Sequence, residues 1–199
     1  MELEIRRVKP GDEPVFDRVA EAVFDEPIDP GRLAAYLAVC EDAPVLLVAE
    51  APGYRGARVS GLPFTSERQL TGTGPAEATA TIVRSALEEL GLEDDVLCWN
   101  VVPTHPGTET ANRRPTRAEI TSGTRFLEQL ARGRRIIAVG RVAHAATGAP
   151  YIRHPSHGGA EAFRDGLLRF AAGGRPVRRF HAKDLERKAW RDRAPLVRR

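Results

Sequence analysis

Cysteine is scarce: Cys40 and Cys98 are the only two in 199 residues, far apart and outside any CxxC spacing. They cannot supply the four thiolates of a typical iron–sulfur cluster or an all-cysteine zinc site. Both are expected to be free, buried thiols, and no cofactor is expected. Long apolar runs are missing too. None nears the roughly 18 residues that cross a bilayer, and the charged start MELEIRRVKPGDE lacks the apolar segment of a signal peptide. A cytoplasmic protein without a membrane partner is expected. Gly53-Tyr-Arg-Gly56 lacks the GK[ST] ending of a phosphate-binding loop, and no Gly-x-Ser-x-Gly elbow occurs, which argues against nucleotide hydrolysis and serine hydrolysis. His154 and His157 are only a pair, with Pro155 between them and no third ligand nearby, so no metal site is expected.

What is present fits one domain. A chain of 199 residues can bury a single good core, and residues 1–199 are expected to form one unit, acting as a monomer. The net charge of +3 says little about partners, but its distribution says more. Ten basic residues between 175 and 199 face only Asp184, Glu186 and Asp192, whereas the first fifty residues are acid-rich. A basic C-terminal helix or tail at about 175–199 suits a phosphate backbone; a merely solvated helix is the alternative.

Apolar residues at helical spacing predict an opening helix on Val15, Phe16, Val19, Ala22 and Val23, and a second on Leu33, Ala34, Leu37 and Ala38. Three short apolar runs, Pro44-Val-Leu-Leu-Val-Ala49, Val96-Leu-Cys-Trp-Asn-Val-Val102 and Arg135-Ile-Ile-Ala-Val-Gly140, have the character of strands buried on both faces. Helical patterns on Ile82, Val83, Ala86, Leu87 and Leu90, and on Ile120, Leu127 and Leu130, separate them. Thr116-Arg-Ala-Glu119 reads as a capping box opening the second of these. A further amphipathic helix carries Phe163, Leu167, Leu168 and Phe170, and a last one is expected over 182–190. Alternating strands and helices predict an α/β fold, a three-layer α/β/α arrangement around a central, mostly parallel four-stranded sheet. Residues 51–76, with five Gly and three Pro, read as a long aperiodic loop, and loops of that length are usually functional.

Ligands of open parallel sheets bind beyond the carboxyl ends of the strands, and the distinctive residues fall there. Glu50 follows the first strand, Asn100 lies late in the second, and Gly140 closes the third. The turn His154-Pro-Ser-His157-Gly-Gly159 precedes the amphipathic helix. In order, Ala49-Glu-Ala-Pro-Gly53, Gly61-Leu-Pro-Phe64, Asn100-Val-Val-Pro103, Asn112-Arg-Arg-Pro-Thr116 with Glu119, and His154-Pro-Ser156 resemble the motifs of the uracil-DNA glycosylase superfamily, most of all its family 4 branch. The resemblance spans about residues 45–168. It departs from the superfamily's known patterns in four places, the first being Ala49, which stands where the first motif has a glycine. The four cluster cysteines are absent. Ala51 stands where the best-known uracil-specific branch has an aspartate base. Gly53 stands where that branch has a tyrosine that excludes the methyl group of thymine.

The resemblance implies a DNA repair glycosylase that flips uracil out of the stack and hydrolyses its N-glycosidic bond. Its partner would be DNA containing uracil or a related damaged base. Asn100 would read the O4/N3–H edge of uracil, Phe64 would stack on the base, and Ala51 and Tyr54 would complete the base-binding set. Glu50 would orient or deprotonate water, or oppose the positive sugar. His154 would donate from Nε2 to uracil O2 as charge develops. Pro52, Gly53, Pro103, Pro155, Ser156 and Gly158 would let backbone amides approach DNA phosphates, with Arg153 adding charge. Each type has a blander reading: a turn-capping Asn, a core Phe, a solvated acid, a structural His. Two further alternatives are a glycosylase for hypoxanthine, xanthine or mismatched thymine, and a damaged-DNA-binding protein with reduced turnover. Should Glu50 and His154 prove dispensable, Tyr54, Glu67 and His157 are the next candidates.

Overall fold

The computed structural model describes residues 30–172. The helix expected on Val15–Val23, the last helix at 182–190 and the basic segment at 175–199 lie outside the described residues. The elements in order are α1 (Pro30–Val39), β1 (Val45–Ala49), α2 (Ala57–Ser60), α3 (Glu67–Thr71), α4 (Ala78–Leu90), β2 (Val96–Asn100), α5 (Arg117–Leu130), β3 (Arg135–Val139), α6 (Arg141–Thr147), β4 (Tyr151–Ile152) and α7 (Ala160–Ala172). The strands form one sheet in the order β2-β1-β3-β4, and every pairing is parallel. The α/β reading holds, and the sheet is wholly rather than mostly parallel.

Residues of β1 alternate between two cores, as a strand covered on both faces must. Leu46 and Val48 pack with Leu33 and Leu37 of α1, Phe126 and Leu127 of α5, and Ala143 of α6. Val45, Leu47 and Ala49 pack with Val83 and Leu87 of α4 and with Phe163 and Leu167 of α7. Leu46, Leu47 and Val48 are fully buried, each worth roughly 1.5–3 kcal/mol relative to exposure. The outer edge of β2 is closed by a side chain. Tyr36 Oη accepts from the Cys98 N–H at 2.7 Å and donates to the Cys98 carbonyl at 3.3 Å, so an otherwise unpaired stretch of edge backbone is satisfied. Burial raises the Tyr36 hydroxyl well above its ordinary value and pushes the Cys98 thiol up to about 12; Cys40 and Cys98 are both buried, and neither is in a disulfide.

Two departures from the sequence reading concern short elements. The 51–76 segment is not a single aperiodic loop, because it folds locally into α2 and α3. The α3 turn is started by a Ser66/Gln69 capping box, a signal that the density of Gly and Pro obscures. The helix α6, seven residues long, is too short for its periodicity to stand out. Its N-cap, Gly140, adopts φ 87° and ψ 170°, a conformation essentially restricted to glycine, so the chain can leave β3 and turn at once into the helix. Among the described residues no helix is long and apolar enough to cross a membrane.

Candidate active site

Strand order reverses at β1. The connection after β1 leads to α4 on one face of the sheet, while that after β3 leads to α6 on the other. Between two neighbouring strands whose connections part in this way a crevice opens at the carboxyl ends. A cleft of about 950 Å³ lies there, lined from β1 by Ala49, Glu50, Ala51, Pro52 and Gly53, from β2 by Asn100, from β3 by Val139, Gly140 and Arg141, and from the last motif by Arg153, His154, Ser156 and His157. Phe64, Glu77, Thr79, His105, Asn112, Arg113 and Tyr151 complete its wall.

Asn100 ends β2 opposite Ala49 and is 5 % exposed. Its carboxamide is not among the sealed side-chain groups left without a partner; the residue lines the cleft, where its donor and acceptor can meet a ligand. Glu50 is half-buried; desolvation raises its carboxyl above the ordinary range, and the nearby Arg114 guanidinium partly offsets this.

His154 is fixed through one nitrogen. The Ser156 N–H donates to Nδ1 at 3.2 Å, and Ser156 Oγ lies 2.8 Å from the same atom. A backbone N–H can only donate, so Nδ1 accepts and the proton of the neutral ring sits on Nε2. Burial, with Arg153 and His157 nearby, holds this imidazole below its usual range and hence neutral. The turn needs Gly159, since a Cβ there would collide with the His154 carbonyl oxygen.

Phe64 reaches the cleft from a strained turn. Its φ of 50° is left-handed, uncommon for an aromatic residue. Buried Ser60 holds the turn: Oγ donates to the Thr65 carbonyl at 2.6 Å and accepts from the Leu62 N–H at 3.1 Å. The loop before α5 is fixed in another way. Glu119 accepts from the Thr116 N–H at 2.7 Å and from both terminal nitrogens of Arg113, at 2.9 and 2.6 Å. The hydrogen bonds from Arg113, then those from Thr116, bring the Glu119 carboxyl down to about 2.

Nine of the residues given a role from the sequence meet in the cleft, Glu50, Ala51, Pro52, Gly53, Phe64, Asn100, Arg153, His154 and Ser156, together with the reserve candidate His157. Four others do not line it. Tyr54 is turned aside, with the Arg55 guanidinium 5.9 Å from its ring centroid. Pro103 lines a small neighbouring cavity with Trp99 and Asn100. Pro155 is buried and Gly158 exposed, both in the His154 turn. Glu77, His105, Arg141 and Tyr151 were not foreseen. Arg141 follows from the sheet topology, since it lies just beyond the carboxyl end of β3; Tyr151 opens β4, and Glu77 and His105 carry no motif of their own.

The cleft at the topological switch point thus brings together an amide, a desolvated carboxylate and an imidazole. The uracil DNA glycosylase superfamily model matches residues 38–192, and the chain belongs to that superfamily. Membership makes it a glycosylase acting on damaged bases in DNA. The fold is similar to the crystal structure of wild-type Pedobacter heparinus SMUG2, with a TM-score of 0.57 and 14% identity over 80% of this chain and 97% of that one. No curated protein matches.

Proposed function

We propose that this glycosylase removes uracil from DNA, with Asn100 reading the base, Phe64 stacking on it, and Glu50 and His154 carrying the chemistry. The observation that carries the reading is the carboxamide of Asn100 on the floor of the cleft, which complements the N3–H and O4 of uracil but sets a donor against the amine of cytosine. In the reaction the C1′–N1 bond breaks and its electron pair leaves with the base, spread onto O2, where the His154 Nε2–H donates. Water adds to C1′ and gives up a proton towards Glu50, whose charge also faces the developing positive sugar. The products are free uracil and an abasic site. Arg141 and Arg153 on the cleft wall supply positive charge for the phosphates that flank an extruded nucleotide, and Pro52, Gly53 and Ser156 would let backbone approach them. The motif order favours an origin near family 4.

A second reading has its own support. At Gly53, a Cβ would overlap Glu77 Oε1, so the place where a methyl-excluding side chain would stand is closed to any side chain unless Glu77 moves. Xanthine, hypoxanthine or mismatched thymine then becomes a candidate substrate. Oligonucleotides bearing each base, treated with alkali after incubation, separate the readings by which strand is cut. Cleavage restricted to uracil supports the first, and cutting at another base supports the second. Tight binding without cutting would make the protein a damaged-DNA binder. Within the first reading Asn100→Asp should cut uracil roughly tenfold or more slowly, since it opposes a carboxylate oxygen to O4. Unchanged cleavage would remove Asn100 from base reading.

A further inference from the structure

Three side chains outside the expected catalytic set grip the short segment that follows Glu50. The His105 Nδ1 lies 2.8 Å from the Pro52 carbonyl oxygen, and its Nε2 lies 2.9 Å from that of Thr108. Asn112 Oδ1 accepts from the Tyr54 N–H at 2.9 Å. On the other side the Glu77 carboxylate fills the space that a Cβ on Gly53 or Gly56 would need. The 52–56 segment is therefore clasped between the start of α4 and the loop that follows β2.

The bonding of His105 is unusual. Carbonyl oxygens only accept, and a neutral imidazole has a single N–H, so the ring meets both partners only with a proton on each nitrogen. Burial raises the Glu77 carboxyl above its ordinary range, and nearby His105 only partly offsets this. A Cβ on Gly107 would meet first the Ala111 carbonyl oxygen and then the His105 ring.

We propose that His105, bridging the Pro52 and Thr108 carbonyls through its two ring nitrogens, is a positioning residue that sets the Glu50–Pro52 backbone against the sugar of the extruded nucleotide. The proposal rests on the role assigned to Glu50 above. It makes His105 a strut rather than a catalytic group, since its two bonds go to the protein's own carbonyls. A ring that loses one proton releases one carbonyl, and the carboxylate two residues before Pro52 loses its fixed height. Misplacement of a reacting group by about 1 Å costs on the order of a hundredfold in rate.

Three variants and one spectrum test this. His105→Ala should lower the maximal single-turnover rate by about a hundredfold at most, while the enzyme concentration giving half-maximal rate stays nearly constant. His105→Arg, which offers several N–H donors on one cation, should recover most of that loss. His105→Gln, with donors on only one of its two terminal atoms, should recover less. With ¹⁵N-labelled histidine at neutral pH, both ring nitrogens of His105 should resonate as protonated, and the Tyr54 amide should exchange faster in His105→Ala. A neutral-ring spectrum for the folded protein, or wild-type turnover by His105→Ala alongside a slow Glu50→Gln, overturns the strut and leaves the glycosylase reading intact. The spectrum and exchange need no substrate. A wild-type protein that cuts no base would therefore end the glycosylase reading while those two measurements still decide the strut.

Discussion

Replacing His154 by alanine isolates the donor that faces the departing base. In the folded protein Nδ1 is occupied by the Ser156 N–H at 3.2 Å, so the ring presents Nε2–H, and lowered basicity from burial, Arg153 and His157 keeps that tautomer neutral at working pH. Such a donor acts on charge that exists mainly in the transition state, so its loss should reduce rate more than affinity. Removing one donor of this kind costs about 2.7–4 kcal/mol, or roughly a hundred- to a thousandfold. Because His154 is only partly buried, water can take over some of the role, and the lower end applies. The assay is single-turnover cleavage of a uracil oligonucleotide with enzyme in excess, fitted for both the maximal rate and the half-saturating enzyme concentration. Ser156→Ala separates the donor from the turn: it removes the Oγ contact at 2.8 Å but keeps the backbone N–H on Nδ1, and it should slow the reaction far less. If Glu50 and His154 act on one transition state, the Glu50→Gln, His154→Ala double variant should fall by less than the product of the single effects. A folded His154→Ala protein with a near wild-type maximal rate would refute the reasoning, as would a loss appearing wholly in half-saturation.

Three further outcomes test other parts of the structure. The raised Glu50 carboxyl means that its charged form is disfavoured by folding, a cost absent below the unfolded pKa and complete once pH has risen through the folded one. Glu50→Gln should therefore melt higher than wild type at neutral pH, with the gap closing near pH 4; an equal gap at both would remove the desolvation argument. Tyr36→Phe strands the Cys98 N–H and carbonyl at the sheet edge and should cost about 1–3 kcal/mol in denaturant unfolding, with the folded fraction still active. Truncation after Gly174 should weaken DNA binding and flatten its log–log salt dependence by about 0.9 for every phosphate that the basic segment neutralises, whereas equal slopes would assign that segment to solvent.

The alternation of strands and helices was legible in the residues alone, because a strand buried on both faces must be continuously apolar and a covering helix must repeat its apolar residues every three or four positions. So was the sheet edge at which the candidate residues gather. Glu50, Asn100 and His154 stand at or just beyond strand ends, and a parallel sheet brings all such ends to one edge. The Thr116/Glu119 cap was legible for a like reason, since its bonds join residues three apart. Contacts between distant segments became visible only in the folded chain. His105 and Glu77 look like ordinary loop residues, and folding carries them to the 52–56 segment, where small glycines leave room for both. The tautomer of His154 was set by a turn whose backbone direction no spacing reveals, and Tyr54, close in sequence to Glu50, does not line the cleft. Local pattern fixes which faces are buried; long-range packing decides which polar groups meet there, because their partners come from segments whose order in space the chain does not write along its length.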